Sequence, residues 1–240
     1  MKPVLAIARK ELKSSFNSPV AYVLIVGFLV FTSVWLYFAQ GFFAAGQADL
    51  RSYFAIMPLA FAFLVPAATM RSWAEERRLG TYELLLTMPF SEGELVIGKF
   101  LSAFSVILIA LLLSIPVPLT AALVGNFDAG VIASQYLSVI LAAATATAVG
   151  EWVSSLAKNQ VSAFMGASLL ILLFVFIDRF ASFLRFGGAA AALANWLSFA
   201  YHSDSLLKGL LDSRDLAYYL LTTALFLYLT AWNVRRRKWS

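Results

Sequence analysis

Six long stretches without a charged side chain constrain this chain more than any other feature. They cover residues 14–48, 52–70, 100–127, 129–150, 159–177 and 216–234. A helix of about 20 residues is needed to cross the roughly 30 Å hydrocarbon core of a bilayer. Each stretch is close to that length or longer, so the sequence predicts an all-α membrane protein.

Composition supports the same conclusion. The chain is 61% hydrophobic and 13% charged, whereas soluble domains average about 45–50% apolar and about 25% charged residues. A soluble core of this size could not bury so much apolar surface. Pro116 and Pro118 predict a kink or break in the third span. We predict a single domain over residues 1–240 with six transmembrane helices, at about 19–40, 52–71, 94–124, 130–156, 160–178 and 215–234.

Three segments outside the spans have predicted positions. Residues 1–16 place Leu5, Leu12 and Phe16 at helical spacing, which is typical of an amphipathic helix lying at the membrane interface. Residues 72–93 form a charged loop between spans 2 and 3. Most lysines and arginines lie near this loop and near the two termini, so both termini and the loop are predicted to be cytoplasmic. The segment 179–214, between spans 5 and 6, is then an extracytoplasmic helical segment.

The side chains needed for catalysis or metal binding do not occur in suitable groups. The sequence has no cysteine and one histidine, His202, which lies near Asp204 and which we interpret as a polar contact rather than a ligand. The net charge is +5, but the basic residues cluster at span ends, so no nucleic-acid partner is expected. We expect a chain that is not itself an enzyme, with no metal site and no bound cofactor.

Two capping boxes bracket the charged loop. Ser72 with Glu75, and Ser91 with Glu94, have the spacing that begins a helix. The second box begins span 3, and the lysine of the following GELVIGK is interpreted as a cytoplasmic anchor. GELVIGK matches most of a phosphate-binding loop, but Phe100 stands where a magnesium-ligating Ser or Thr is required. We therefore expect no nucleotide site in this chain.

Between the two boxes the loop predicts two short helices. Gly80 ends the first helix, Thr81 caps a second one over residues 82–88, and Pro89 ends that helix. The leucines at 84–86 would be exposed and would need a partner. We interpret the loop as a docking site with a charged rim; the alternative is a solvated connector that touches only its own membrane domain.

This loop and three further segments resemble the ABC-2-type permeases, the membrane subunits of ATP-binding-cassette exporters. Residues 74–100, AEERRLGTYELLLTMPFSEGELVIGKF, are similar to the family's loop signature. KEL at 10–12 is similar to its elbow helix, VSSLAKNQVSAF at 153–164 to its link between spans 4 and 5, and HSDSLLKGLLDSRDLAYYL at 202–220 to its outer segment before span 6. The closest resemblance is to the branch of gliding-motility and nitrous-oxide-reductase-maturation permeases.

The resemblance implies a permease subunit in the plasma (inner) membrane. Such a subunit pairs with a second copy of itself or a paralogous permease and docks onto two copies of a separate ABC ATPase, which binds the ATP and Mg. A membrane-anchored auxiliary subunit with a large extracytoplasmic domain often accompanies permeases of the gliding type. The residues implied in ATPase docking and coupling are Glu75, Glu76, Arg77, Gly80, Thr81, Glu83, Leu84, Leu85 and Pro89. The family's dimer interface involves spans 1, 2 and 5, and the implied pathway or interface residues are Phe54, Met57, Phe61, Phe164, Ser168 and Leu172.

Two alternatives remain open at the level of the sequence. One is a non-transporting membrane scaffold that drives an extracytoplasmic partner. The other is an ion-coupled secondary transporter, which would need ionisable residues in the middle of a span. Glu151, at the cytoplasmic end of span 4, is more polar than the family pattern suggests. We interpret it as a membrane-end ion pair or a solvated carboxylate.

Overall fold

The computed structural model describes residues 2–40, 49–83, 90–122, 125, 128–185 and 187–238, and within these residues the fold is all-helical. The helices are α1 (Lys2–Phe16), α2 (Pro19–Val34), α3 (Arg51–Thr69), α4 (Ala74–Leu79), α5 (Glu92–Leu113), α6 (Pro116–Ala122), α7 (Ala129–Leu156), α8 (Gln160–Phe183), α9 (Gly188–Leu197), α10 (Phe199–Leu207) and α11 (Ser213–Lys238). A π-helical turn, Trp35–Ala39, extends α2.

Five helical stretches in the described part of the chain are long and apolar enough to cross a membrane. They are Pro19–Ala39, Arg51–Leu79, Glu92–Ala121, Ala129–Leu156 and Gln160–Phe183. The predicted all-α, multi-span class is therefore confirmed. Helix α11 contains the sixth uncharged stretch, but its tyrosines and threonines make it less apolar, and it is not among the five.

Proline interrupts the third predicted span. Helix α5 ends at Leu113, and α6 begins at Pro116 after a turn at 114–115. Proline has no backbone N–H and its ring clashes with the preceding turn, so a continuous helix is unfavourable here. The Ser114 hydroxyl donates to the Leu111 carbonyl at 2.7 Å and so satisfies part of the broken turn. The predicted break near Pro116 is confirmed.

The bundle has two ends that can be recognised by their contacts. The end called here the α4 end is defined by a buried cluster of Ile7, Trp73, Leu95, Val96 and Val234. At the opposite end, called the α10 end, the Ser134 hydroxyl of α7 donates to the Leu206 carbonyl of α10 at 2.9 Å. Helix α1 and the last turns of α11 thus lie at the same end of the bundle.

Helix α7 is the central helix, and α11 runs parallel to it. The Thr145 hydroxyl of α7 donates to the Tyr219 carbonyl at 3.2 Å, and Asn233 Nδ2 of α11 donates to the Ser155 carbonyl at 2.9 Å. Both helices therefore advance from the α10 end to the α4 end. Helix α7 also packs against α3, α5, α8 and α10. Its small residues in the stretch 142–148 are mostly fully buried, which allows this close packing.

Two glycines bring helices together at the α4 end. A Cβ atom at Gly150 of α7 would lie 2.4 Å from the Thr69 hydroxyl oxygen of α3. A Cβ atom at Gly98 of α5 would lie 2.7 Å from the Ile7 side chain of α1. Both distances are below van der Waals contact, so a larger residue would push the helices apart. These crossings position α1, α3, α5 and α7 around α4.

Candidate functional site

Helix α4 is the centre of the candidate site, and its end follows the sequence signal. Gly80 has a φ of 70°, a left-handed conformation that glycine adopts without strain. The Gly80 N–H donates to the Arg77 carbonyl at 3.2 Å, and the Thr81 N–H donates to the Glu76 carbonyl at 3.0 Å. This pair of bonds is a Schellman motif. The predicted helix end at Gly80 is confirmed.

The beginning of α4 differs from the prediction. The helix starts at Ala74, and Trp73 at its N-cap provides no side-chain cap within the described residues. Ser72 therefore does not form a capping box with Glu75, and that prediction is wrong. The Ser72 hydroxyl instead donates to Glu151 Oε1 of α7 at 2.6 Å. The second predicted box, Ser91 with Glu94, is confirmed with both of its bonds at the start of α5.

Glu151 is fully buried beneath the turn that precedes α4. Its two oxygens accept from the Ser72 hydroxyl at 2.6 Å and from Trp73 Nε1 at 2.7 Å. Trp73 is likewise fully buried. A carboxylate removed from water needs such hydrogen bonds to offset its desolvation. The interpretation of Glu151 as an ion pair or a solvated carboxylate is wrong, because neutral donors hold it out of contact with solvent.

Helix α7 also supplies the missing cap of α4. The Ser154 hydroxyl oxygen accepts from the backbone N–H of Trp73 at 3.2 Å and of Ala74 at 3.4 Å. Ser154 is fully buried. Helix N-termini leave N–H groups unpaired, and a serine from a helix distant in sequence pairs two of them here. The start of α4 is thus fixed to α7 by Ser154 as well as by Glu151.

Arg77 extends this attachment to the end of α7. Its guanidinium donates to the Ala157 carbonyl at 2.8 Å and also to the Ser155 carbonyl. Asn233 of α11 donates to the same Ser155 carbonyl and to the Ser155 hydroxyl, both at 2.9 Å. Helices α4, α7 and α11 therefore share one hydrogen-bond network.

Lys99 of α5 forms the second attachment of α4. Its side chain is 2% exposed, and Nζ lies 2.7 Å from the Ser72 carbonyl and 2.8 Å from Glu76 Oε1. Glu11 of α1 lies 3.6 Å from the same nitrogen, and the Trp73 ring lies 5.1 Å away. The predicted anchor at the entrance of span 3 is in fact a buried cation that joins α1, α4 and α5.

The predicted docking residues divide into two groups. Glu76 and Arg77 face inward, bound to Lys99 and to the end of α7. Gly80, Thr81 and Glu83 are exposed, and Glu75 is half-buried. Leu84, Leu85 and Pro89, with the remainder of the second predicted helix, lie outside the described residues. Next to the exposed group, Leu79 presents 61% of its surface to solvent.

The predicted pathway or interface residues lie on α3 and α8, two helices that pack against each other. Phe54, Met57 and Phe61 of α3 are fully buried, and Phe54 packs against the Tyr136 ring at a centroid distance of 4.8 Å. In α8, Ser168 is buried, whereas Phe164 and Leu172 are half-buried. An apolar cavity of about 620 Å³ lies between α2, α3, α7, α8 and α10. Of these six residues, Phe54 is the one that lines it.

His202 lies at the α10 end with both ring nitrogens engaged. Nδ1 is 2.7 Å from Asp215 Oδ1, and Nε2 is 2.9 Å from the Trp196 carbonyl. The ring stacks on Tyr218 at 3.8 Å. Asp204, its predicted neighbour, pairs with Lys208 instead. The interpretation of His202 as a satisfied polar contact agrees with this geometry, although the partner is Asp215.

Several residues of the site were missed by sequence reasoning. Trp73, Ser154, Ser155 and Asn233 belong to the network around α4, but none has a local pattern that marks it. Glu151 provided the one available signal, because a carboxylate within a long apolar helix needs donors from the protein when it is buried. Among the described residues there is no group of three or more His, Cys, Asp or Glu side chains that could hold a metal ion.

The contacts around α4 thus fix one short helix to α5 and α7. No curated protein sequence gives a significant match to this chain. A family model described as "ABC-2 family transporter protein" matches residues 5–234. This match extends over the helices α2 to α10 and almost all of α1 and α11. The chain therefore belongs to the ABC-2 family of transporter proteins.

Proposed function

We propose that this chain is the non-catalytic permease subunit of an exporter-type complex, in which a separate ABC ATPase binds ATP and Mg and drives the membrane helices through α4. ABC-2 family membrane proteins generally work with such an ATPase. Two copies of the ATPase would dock onto a pair of permeases in the plasma (inner) membrane. We also propose that the chain belongs to the gliding-motility and nitrous-oxide-reductase-maturation branch of these permeases, which its sequence resembles.

The observation that carries this proposal is the attachment of α4. Glu151 and Ser154 fix its start to α7, Arg77 fixes its last turn to the end of α7, and Lys99 fixes it to α5. Leu79 at the end of α4 is exposed, as are Gly80, Thr81 and Glu83 just beyond it. Coupling between two sites requires an element that both sites act on. A helix bound firmly on one side and open on the other fits that role.

The orientation in the membrane is part of the proposal. Helix α11 would be the sixth span, supported by its parallel course beside α7. With six spans, the α4 end would be cytoplasmic together with both termini. Helix α1 would then lie at the interface, and α9 and α10 would be extracytoplasmic.

Exposed apolar side chains support the proposed membrane partners. Val161, Met165, Leu169 and Leu173 form an exposed stripe along α8 at four-residue spacing. A second copy or a paralogous permease would cover this stripe together with parts of α2. At the α10 end, Trp196 is 55% exposed, which favours contact with an auxiliary subunit. The exposure of Trp196 would also fit the second candidate function, mechanical work on an extracytoplasmic partner without passage of a solute.

The proposal is tested by changing two exposed residues, Leu79 at the end of α4 and Glu83 just beyond it. We expect Leu79→Asp and Glu83→Lys to reduce the amount of ABC ATPase that co-purifies with the chain from its native membrane by about tenfold, which corresponds to about 1.4 kcal/mol of binding free energy. The retained ATPase is identified by mass spectrometry and quantified by ATP hydrolysis. Membrane insertion of both variants should remain as in the wild type.

Arg214→Glu is the matched control, because Arg214 is an exposed charged residue at the start of α11, at the other end of the bundle. It should retain wild-type amounts of ATPase. The proposal fails if no ABC ATPase co-purifies with the wild-type chain, or if the α4 variants retain as much as the control.

A further inference from the structure

A polar cavity, called here the chamber, lies beside α4, and Lys99 and Glu76 of the α4 attachment are among the residues that line it. Its volume is about 270 Å³, and it is enclosed by α1, the end of α3, α4 and the start of α5. Charged side chains of both signs line it: Arg71 and Lys99 are basic, and Glu11, Glu75 and Glu76 are acidic.

This cavity continues toward the apolar part of the bundle. A cleft of about 50 Å³ shares Ser15, Ala68 and Arg71 with it, and extends between α2 and α3 to Leu24. Leu24 in turn lines a groove of about 590 Å³ between α2 and α3, whose walls are apolar. A polar chamber followed by an apolar groove could hold an amphiphile, with its polar head in the chamber and its apolar tail in the groove.

The groove has the length of one lipid chain within a leaflet. Along α2 it runs from Val23 to Phe31, which is about 12 Å of helix at 1.5 Å per residue. One leaflet contributes about half of the roughly 30 Å hydrocarbon core. Gly27 lines the middle of the groove, and a Cβ atom there would meet no atom within 4 Å. The missing side chain at Gly27 therefore helps to keep the groove open.

The charged side chains that line the chamber differ in how closely they are paired with opposite charges. Lys99 is already bound by Glu76 and the Ser72 carbonyl. Arg71 is exposed and forms no ion pair with any residue that the structure describes. Glu75 has its nearest described cation, Arg78, at 3.8 Å. The chamber thus offers an available guanidinium near the apolar cleft and a weakly paired carboxylate beside α4.

We propose that the chamber and groove bind one phospholipid whose headgroup carries a primary amine. The phosphate binds Arg71 and the Ser18 hydroxyl at the entrance of the cleft, the ammonium binds Glu75 and Glu11, and one acyl chain fills the groove over Gly27. An ammonium has three N–H donors for these carboxylates, whereas a choline headgroup has none. A headgroup with phosphate but no amine would add no closer cation to these carboxylates, whose distances to Arg78 and Lys99 are 3.8 Å for Glu75 and 3.6 Å for Glu11.

The test measures lipid retained by the full-length chain and needs no ATPase, so its result is independent of the proposed coupling function. The chain is purified from mixed micelles with equal amounts of phosphatidylethanolamine, phosphatidylcholine and phosphatidylglycerol of the same acyl chains, and retained lipid is quantified by native mass spectrometry. We expect phosphatidylethanolamine to exceed each of the others by about fivefold in the wild type.

Three variants separate the parts of the site. Arg71→Gln should lower retention of all three lipids about tenfold, since charged hydrogen bonds are the strong ones. Glu75→Gln should abolish the preference for the amine headgroup while leaving total retention within about twofold. Gly27→Leu should fill the groove and displace the lipid, because a Cβ atom at this position would have no neighbour within 4 Å. Arg9→Gln, an exposed basic residue of α1 that does not line the chamber, should behave as wild type.

Thermal unfolding in lipid-free detergent establishes that each variant is folded. Equal retention of the three lipids by the wild type would overturn the proposal, as would no retention of any lipid. It would equally be overturned if folded Arg71→Gln and Gly27→Leu proteins retained as much phosphatidylethanolamine as the Arg9→Gln control.

Discussion

At the scale of single residues, Glu151 shows how a buried charge can organise a surface element. Burial of a carboxylate is unfavourable unless hydrogen bonds replace those lost to water. Glu151 obtains them from Ser72 and Trp73, the two residues that begin the turn before α4. Because those donors would be unpaired without it, the carboxylate fixes where α4 starts relative to α7.

Replacement of Glu151 should therefore destabilise the fold. The loss should depend on how many acceptor oxygens the new side chain keeps. We expect Glu151→Leu to lower the free energy of unfolding by about 2–4 kcal/mol, because the buried Trp73 indole and the half-buried Ser72 hydroxyl lose their acceptor. Glu151→Gln retains one acceptor oxygen for Trp73 Nε1 and should lose less than half as much. Unfolding by SDS titration in mixed micelles, followed by tryptophan fluorescence, measures both values.

Glu83→Leu is the control for this comparison, since Glu83 is an exposed carboxylate in the same loop and should give no measurable change in stability. If Glu151→Leu unfolded at the same SDS fraction as the control, the network around Trp73 would not be the attachment of α4.

Lys99 and Glu76 illustrate why the chemistry of a residue does not give its orientation. The sequence marks Glu76 as part of a charged docking surface, yet its Oε1 lies 2.8 Å from a lysine that is 2% exposed. Removal of one member of such a pair leaves the other charge poorly compensated. Loss of ATPase binding in a Glu76 variant would then follow from displacement of α4, whereas in a Glu83 variant it would follow from the contact itself.

At the scale of helices, the crossing of α3 and α7 depends on a residue without a side chain. Gly150 lets Thr69 of α3 approach so closely that a Cβ atom would lie 2.4 Å from its hydroxyl oxygen. We expect Gly150→Ala to destabilise the protein by about 1–3 kcal/mol, the usual range for overpacking. Combination with Thr69→Ala should restore part of this loss, because the clashing hydroxyl and methyl are removed.

Gly93→Ala is the matched control for the Gly150 variant. Gly93 is also helical, in the first turn of α5, but a Cβ atom there has no neighbour within 4 Å. Alanine favours the helix over glycine, so this variant should be as stable as the wild type or slightly more stable. Equal stability of Gly150→Ala and Gly93→Ala in the SDS titration would contradict the close crossing.

The same helices explain which parts of the structure were readable from the sequence. Apolar stretches, the break at Pro116, the cap at Ser91 and the helix end at Gly80 are local signals, since the residues that decide them are within a few positions. The bonds of Ser72 and Trp73 to Glu151 join residues almost 80 positions apart. Capping rules predicted a local partner for Ser72, and a tertiary acceptor competed successfully for its hydroxyl.

At the scale of the whole molecule, α1 and the end of α11 lie together at one end of the bundle. Ile7 of α1 and Val234 of α11 belong to the same buried cluster as Trp73. Helices α7 and α11 are parallel, and α8 with the α9–α10 segment connects the end of one to the start of the other. If α7 crosses the bilayer, α11 would return across the same thickness as the proposed sixth span. The six-span proposal therefore predicts on which side of the membrane each end of α11 lies.

Because the chain has no cysteine, single cysteines can be introduced to measure on which side of the membrane each end of α11 lies. Single cysteines at Ser14, Arg235 and Ser213 would mark α1, the end of α11 and the start of α11. Because α1 and the end of α11 lie together, Ser14→Cys and Arg235→Cys should react with a membrane-impermeant maleimide from the same side of sealed vesicles. Ser213→Cys should react from the opposite side. If Arg235→Cys instead reacted from the side of Ser213→Cys, α11 would not cross the bilayer, and the six-span arrangement with both termini in the cytoplasm would have to be abandoned.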